Sequence, residues 1–188
     1  ASLSCVSVAG RFRYGSVIPE GDDDIELGTA GGRVLGQVKS RRDKRGAFPI
    51  ADVVGFLAKL WNSGANQPKD SYVLILERGI VRSCFEEGRS GKRALGGLSP
   101  LCDLTAVVRA LPARTEPDLV TRTSILVLPN PRGAAREAIA ARRGCSFLEA
   151  DAYYGTVLRK AAYLADENGM RKSGSFLGLS LSDVEHEV

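Results

Sequence analysis

The run Tyr72-Val-Leu-Ile-Leu76 constrains this chain more than any other segment. Side chains of a strand alternate between two faces, so five consecutive apolar residues leave neither face suited to water. Such a strand needs cover on both sides, and the neighbouring segments offer it. Residues 50–61 place Val53, Val54, Leu57, Leu60 and Trp61 on one helical face. Residues 123–128 form a second short apolar strand, ended by Pro129-Asn-Pro131. Earlier, residues 6–14 and 16–18 read as strands interrupted by Gly10 and Gly15. Residues 24–27 and 33–39 read as a hairpin across Gly28-Thr-Ala-Gly-Gly32. Residues 80–85 are expected to return as the neighbour of the central strand. Ser99 as N-cap and Pro100 at the first helical position open a helix through Leu111, with Leu101, Leu104, Val108 and Leu111 inward. A helix over 134–143 stops at Gly144. The last spans 151–167, with Tyr154, Val157, Leu158, Ala161 and Leu164 on one face and Asn168-Gly169 closing it. Strands alternating with helices predict an α/β domain: a mixed sheet flanked by helices.

Composition then limits the chemistry. The 188 residues, 44% of them hydrophobic, suffice for one buried core and a small appendage. The single histidine, His186, removes Ser-His-Asp triads, Cys-His pairs and histidine-rich zinc sites. Cys5, Cys84, Cys102 and Cys145 lie far apart without a C-x-x-C pair. They read as small buried apolar residues in a reducing cytoplasm. No apolar run approaches the roughly 20 residues of a membrane span, and residues 1–10 lack the features of a signal peptide. A cytoplasmic location is the expectation. Any catalysis must run on carboxylates, lysine, serine or a hard metal ion.

The net charge of +4 leans only weakly toward a polyanionic partner. Its distribution says more. Glu20, Asp22, Asp23, Asp24 and Glu26 form an acidic cluster, and Lys39, Arg41, Arg42, Lys44 and Arg45 a basic one shortly after. Strand alternation puts Asp24 and Glu26 on one face, with Ile25 and Leu27 toward the core. It likewise puts Gln37 and Lys39 together, opposite Val38. If the two strands pair through the glycine-rich turn, Asp24, Gln37 and Lys39 converge. A carboxylate and an amide carbonyl are hard oxygen ligands suited to Mg²⁺. A lysine beside them can act on a metal-bound water or on charge building at phosphorus.

Asp24 … Gln37-Val-Lys39 resembles the D … (D/E/Q)-x-K core of the PD-(D/E)XK nuclease superfamily, in the Q-x-K form of Mrr-type restriction endonucleases. The surrounding acidic-hydrophobic pattern is also similar to the double-stranded-DNA nuclease effector domains of bacterial antiphage systems. The resemblance spans residues 16 to about 61. It implies a restriction-endonuclease-like fold and a metal-dependent DNA endonuclease using Mg²⁺ or Mn²⁺. By position, Asp24 and Gln37 become metal ligands and Lys39 the catalytic lysine. Mrr-like proteins place the acid directly after an isoleucine, which here selects Glu26 instead, so both carboxylates stay in play. These nucleases usually have an opening helix with a glutamate; here a strand is expected almost at once, so that helix either lies outside this sequence or is not present in the protein.

Arg41, Arg42, Lys44 and Arg45 are placed to neutralise phosphates of double-stranded DNA. Gly88-Arg-Ser-Gly-Lys-Arg93 has the wrong glycine spacing for a phosphate-binding loop and reads as a flexible basic loop. Arg132, Arg136, Arg142 and Arg143 offer a second basic surface or simple helix solubility. Tyr153, Tyr154 and Tyr163 read as packing residues. The chain opens at Ala1, and Ser182 and Glu185 announce a helix just before the sequence ends. The expectation is therefore a nuclease domain over 1–148 and a helical extension over 149–188. The extension would lead to a further module through which the protein forms a homo-oligomer. The competing expectation is a non-catalytic nucleic-acid-binding or assembly domain on the same fold.

Overall fold

The structure, a computed structural model, describes residues 14–19, 25–29, 32–41, 46–62, 68–81, 91–95, 104–171 and 177–180. Strands β1 (Tyr14–Pro19), β2 (Ile25–Thr29) and β3 (Gly32–Lys39) precede helix α1 (Ile50–Asn62). Then come β4 (Ser71–Leu76), β5 (Gly91–Ala94), the short helices α2 (Thr105–Ala110) and α3 (Pro117–Thr121), and β6 (Thr123–Val127). Helices α4 (Pro131–Arg143) and α5 (Phe147–Gly169) and the two-residue β7 (Leu179–Ser180) follow. The chain divides into two compact units, with the division inside β3 after Leu35. One holds β1, β2, the opening of β3, α4, α5 and β7; the other holds the rest of β3 and everything from α1 to β6. The class is α/β.

In the β4 unit the strand order is β5-β6-β4-β3. β4 and β6 run parallel, from Tyr72 beside Thr123 to Leu76 beside Val127. β5 pairs antiparallel with β6, so the sheet is mixed. Tyr72 to Leu76 are all buried, as a strand covered on both faces requires. Helix α1 buries Val53, Leu57, Leu60 and Trp61, four of the five residues expected on that face. The Trp61 indole N–H donates to Thr123 Oγ1 at 2.9 Å, and the Thr123 hydroxyl donates to the Leu119 carbonyl at 2.5 Å. Both polar groups are thus satisfied where packing has removed water.

Sequence periodicity misplaces two things here. Ile80 makes only an isolated bridge to Phe48 and Val81 lies in a turn; 82–85 fall outside the described residues. An added strand is β5, Gly-Lys-Arg-Ala, whose first three residues belong to the Gly88–Arg93 segment expected to be a flexible basic loop. Its four residues have no apolar alternation, and backbone pairing to β6 is what makes them a strand. Helix α2 begins after Leu104 and buries Val107 rather than Val108, while Ser99 and Pro100 lie outside the described residues. Helix α3 has no apolar period to announce it, although Pro117 at its first turn followed by Asp118 is a helix-start signal.

In the other unit the order is β3-β2-β1-β7. β1 and β2 are antiparallel, with Ile18 opposite Glu26 and Val17 opposite Leu27. The register slips between Tyr14 and Ser16, so Gly15 is an extra residue in a continuous strand rather than a break. Only two residues separate β2 from β3, a connection that joins adjacent strands only antiparallel. Gly32 opens β3 at φ 146°, a conformation that glycine adopts without penalty.

Helix α5 starts at Phe147, four residues before the expected start. Ser146 and Glu149 form a complete capping box: the Glu149 amide donates to the Ser146 hydroxyl, and the Ser146 amide donates to the Glu149 carboxylate at 2.8 Å. Ala135 and Ile139 of α4 pack on Ala150 and Tyr154 of α5. Leu158, expected inward, is 38% exposed. At the far end, buried Asn168 clasps the returning chain: its side-chain N–H donates to the Leu177 carbonyl at 2.8 Å, and its Oδ1 accepts from the Leu177 amide at 2.6 Å. Leu177 packs on Ala161 and Leu164, and β7 then pairs antiparallel with β1. The Ser182–Glu185 helix start lies outside the described residues. Among the described residues no helix is long and apolar enough to cross a membrane.

Candidate active site

Strand β3 carries the sequence-predicted site residues Gln37 and Lys39 on one face, since they are two apart. Gln37 is only 7% exposed. Its side-chain carbonyl oxygen is buried with no hydrogen-bond partner among the described residues. Buried acceptors are ordinarily satisfied, so such an oxygen calls for an explanation. Lys39 is half-buried, and its Nζ lies 5.7 Å from the centroid of the Phe56 ring on α1. The Lys39 carbonyl accepts from the Glu77 amide at 3.1 Å, which fixes the strand end that carries the ammonium.

Around Lys39 a column of rings and cations assembles. Phe56 meets Phe48 edge to face, with centroids 5.8 Å apart and planes at 84°. The Arg41 guanidinium lies 5.4 Å from the Phe48 centroid. Arg41 Nη1 also donates to the Ala47 carbonyl at 2.9 Å and stands 3.7 Å from the Asp52 carboxylate. Helix α1 sets this geometry because it starts immediately after Pro49, whose carbonyl accepts from the Asp52 and Val53 amides. Asp52 falls in the first turn, where a negative charge suits the helix dipole. Arg41 therefore ties together the two ends of the segment carrying Arg42, Lys44 and Arg45, which lie outside the described residues.

The two carboxylates fare differently. Asp24 lies outside the described residues. Glu26 is buried, as are Ile25 and Leu27 on the other face of β2. Its carboxylate stands 3.6 Å from Arg33 Nη1. The alternation expected for β2 holds, but both its faces are covered, and Glu26 is engaged by a guanidinium. Among the described residues no three His, Cys, Asp or Glu side chains gather as a metal-binding group.

Of the α4 arginines, Arg132, Arg142 and Arg143 are exposed and Arg136 is half-buried, and two of them reach across to an α5 carboxylate. Arg132 grips both Asp151 oxygens at 2.9 Å, and Arg136 Nε stands 3.3 Å from the same carboxylate. The hydrogen bond from Arg132, with the charges of Arg132 and Arg136, holds the Asp151 carboxyl below the usual carboxylate range. Glu149 is lowered too, by the Ser146 hydroxyl and amide of the capping box. Arg132, Arg136 and Arg143 lie over the rings of Tyr154, Phe147 and Tyr153. This face fastens α4 to α5. Tyr154 is packed as expected, whereas Tyr163 is 61% exposed.

Sequence reasoning missed Phe48, Asp52 and Phe56. The available signal was the spacing of Asp52 and Phe56, four apart and so neighbours on the surface of α1, with Phe56 flanking the buried Val53 and Leu60. Comparison with family models, with curated proteins and with solved structures finds no match to this chain.

Proposed function

We propose that this chain is a metal-dependent DNA endonuclease domain of the PD-(D/E)XK type, the effector part of a bacterial antiphage defence protein. The observation that carries the reading is the buried Gln37 carbonyl oxygen, without a hydrogen-bond partner among the described residues, two residues before Lys39 on one face of β3. An amide oxygen is a hard neutral donor of the kind Mg²⁺ or Mn²⁺ takes, so it fits the metal that this nuclease type uses. Gln37 would hold the ion by that oxygen, and Asp24 is the carboxylate that the sequence motif assigns beside it. A bound divalent ion supplies a more acidic water and neutralises charge on the scissile phosphate.

The chain's own residues do the rest. Lys39 brings a compact positive charge to the phosphorus oxygens as charge grows there. Arg41 fixes the ends of the 42–45 segment, whose Arg42, Lys44 and Arg45 would track the phosphates of double-stranded DNA. No base-reading motif accompanies them, so cleavage is expected to be largely indifferent to sequence. A nuclease of that kind has to be held inactive, which favours activation through homo-oligomerisation.

Supercoiled plasmid incubated with the protein should be nicked with Mg²⁺ and spared with EDTA. Lys39→Ala should lower the cleavage rate by about a hundredfold or more, because it removes charge stabilisation needed only in the transition state. Gel-shift affinity should fall only slightly, one cation among several being lost. A Lys39→Ala protein that cuts as fast as wild type rejects this reading. Metal-independent DNA binding without cleavage would leave the binding-module alternative.

A further inference from the structure

We propose that the outward face of helix α5 docks a second copy of this chain, antiparallel about a two-fold axis. Helix α5 runs 23 residues, and the buried Tyr154, Val157, Ala161, Leu164 and Asn168 mark its inner face. Helical phase puts Gly155, Arg159, Ala162, Tyr163 and Asp166 on the opposite face. Met170 joins them at the C-cap, in nearly helical backbone (φ −95°, ψ −5°). The outward face of a surface helix ordinarily turns charged and polar residues to water. Here Tyr163 is 61% exposed and Met170 80% exposed, and two of the six residues are charged. Tyrosine and methionine are enriched where proteins meet one another.

The order of these residues selects the partner. Set two copies antiparallel, with the axis between Ala162 and Tyr163. Arg159 of each copy then faces Asp166 of the other, Ala162 faces Tyr163, and Gly155 faces Met170. Opposite charges meet twice and each large side chain meets a small one, so the face complements itself, as a two-fold contact requires. A parallel pair in register would bring Arg159 onto Arg159 and Asp166 onto Asp166, which is repulsive. A parallel pair staggered by two turns leaves both ends open and does not close. With Arg159 and Asp166 cancelling, the face offers no net charge to an acidic peptide, a nucleic acid or an anionic membrane. Arg159 already lies on this face. Its Nη2 donates to Thr156 Oγ1 at 3.1 Å, and its Nη1 is 3.7 Å from where a Cβ on Gly155 would be. The pairing spans about four turns of each helix and buries less than the roughly 1,600 Å² of a standard interface, so the dimer is weak. The contact forms whether or not the chain cuts DNA.

Sedimentation of the full chain from about 5 to 500 µM should show the average mass rise from one chain toward two. Asp166→Arg alone, or Arg159→Asp alone, sets like charges opposite each other and should weaken association about tenfold or more. Both changes on one chain restore opposite charges and should return the dissociation constant to within about threefold of wild type. Both positions are exposed, so neither reversal disturbs the fold. Independently of any variant, isotope-filtered spectra of mixed labelled and unlabelled wild type should place the Tyr163 ring of one copy against the Ala162 methyl of the other.

A chain that stays single over this range overturns the proposal and leaves the face to a different partner. A dimer that ignores the single reversals, or that the double reversal fails to recover, overturns it too, because its contact then lies elsewhere. So does a dimer whose filtered spectra lack the Tyr163–Ala162 contact. Plasmid cleavage enters none of these outcomes, so the nuclease reading stands or falls on its own experiment.

Discussion

A buried side-chain acceptor left without a partner costs a fold about 1–3 kcal/mol. Gln37 on β3 has no such partner among the described residues, and a leucine of similar volume would leave no acceptor to satisfy. Gln37→Leu should therefore raise the melting temperature in EDTA, by about 2–6 °C for a chain of this size. Wild type should gain further stability from added Mg²⁺ and the variant should not, because binding to the native state alone is what stabilises. Calorimetric melts of both proteins with and without the ion decide it. A variant that melts lower in EDTA would mean that the oxygen has a partner after all. At this scale the sequence shows much of the β3 face, because strand alternation alone is enough to align Gln37 with Lys39. It hides Phe56, because the meeting of a helix face with a strand end seventeen positions earlier is a tertiary event that no local period encodes.

Elements announce themselves in proportion to how locally they are stabilised. Helix α1 and strand β4 are legible because their own apolar patterns dictate them. Strand β5 is not, since Gly-Lys-Arg-Ala becomes a strand only by pairing with β6. Helix α5 lies between these cases: its apolar face is plain, but its start is set by Ser146 and Glu149, four residues ahead of where periodicity begins. Ser146→Ala should lower the melting temperature by about 2–4 °C, the usual effect of losing such a cap. The α4–α5 pair also implies a direction with pH. Glu149 and Asp151 are both held below their ordinary values, so the native state binds fewer protons than the unfolded chain. Their contribution is complete above the unfolded carboxylate range, about pH 4, and fades as pH falls below it through the lowered native values. Melting temperatures recorded between about pH 6 and pH 3 should drop less steeply in Asp151→Asn than in wild type. Parallel curves would mean that the Arg132–Asp151 contact is not kept in solution.

For the molecule as a whole, the α/β class follows from sequence because alternation of strands and helices survives errors at individual boundaries. The division into two units does not follow, since it cuts through β3, a strand whose sequence gives no sign of a seam. Nor does the return of residues 177–180, which hangs on one buried asparagine at the end of α5. Asn168→Ala should speed hydrogen exchange of the Leu177 and Leu179 amides by tenfold or more, leaving the amides of β4 slow. Uniform change across both would tie Asn168 to global stability instead. The clasp also sets an order in time. β1 is made well before its outer neighbour, which lies some 160 residues later in the chain. At ribosomal speeds of about 5–20 residues per second, that neighbour arrives on the order of 10–30 s after β1 has left the exit tunnel. Throughout that interval β1 offers one side of its backbone to any strand it meets. In a crowded cell, the newborn chain is exposed along this edge until β7 exists.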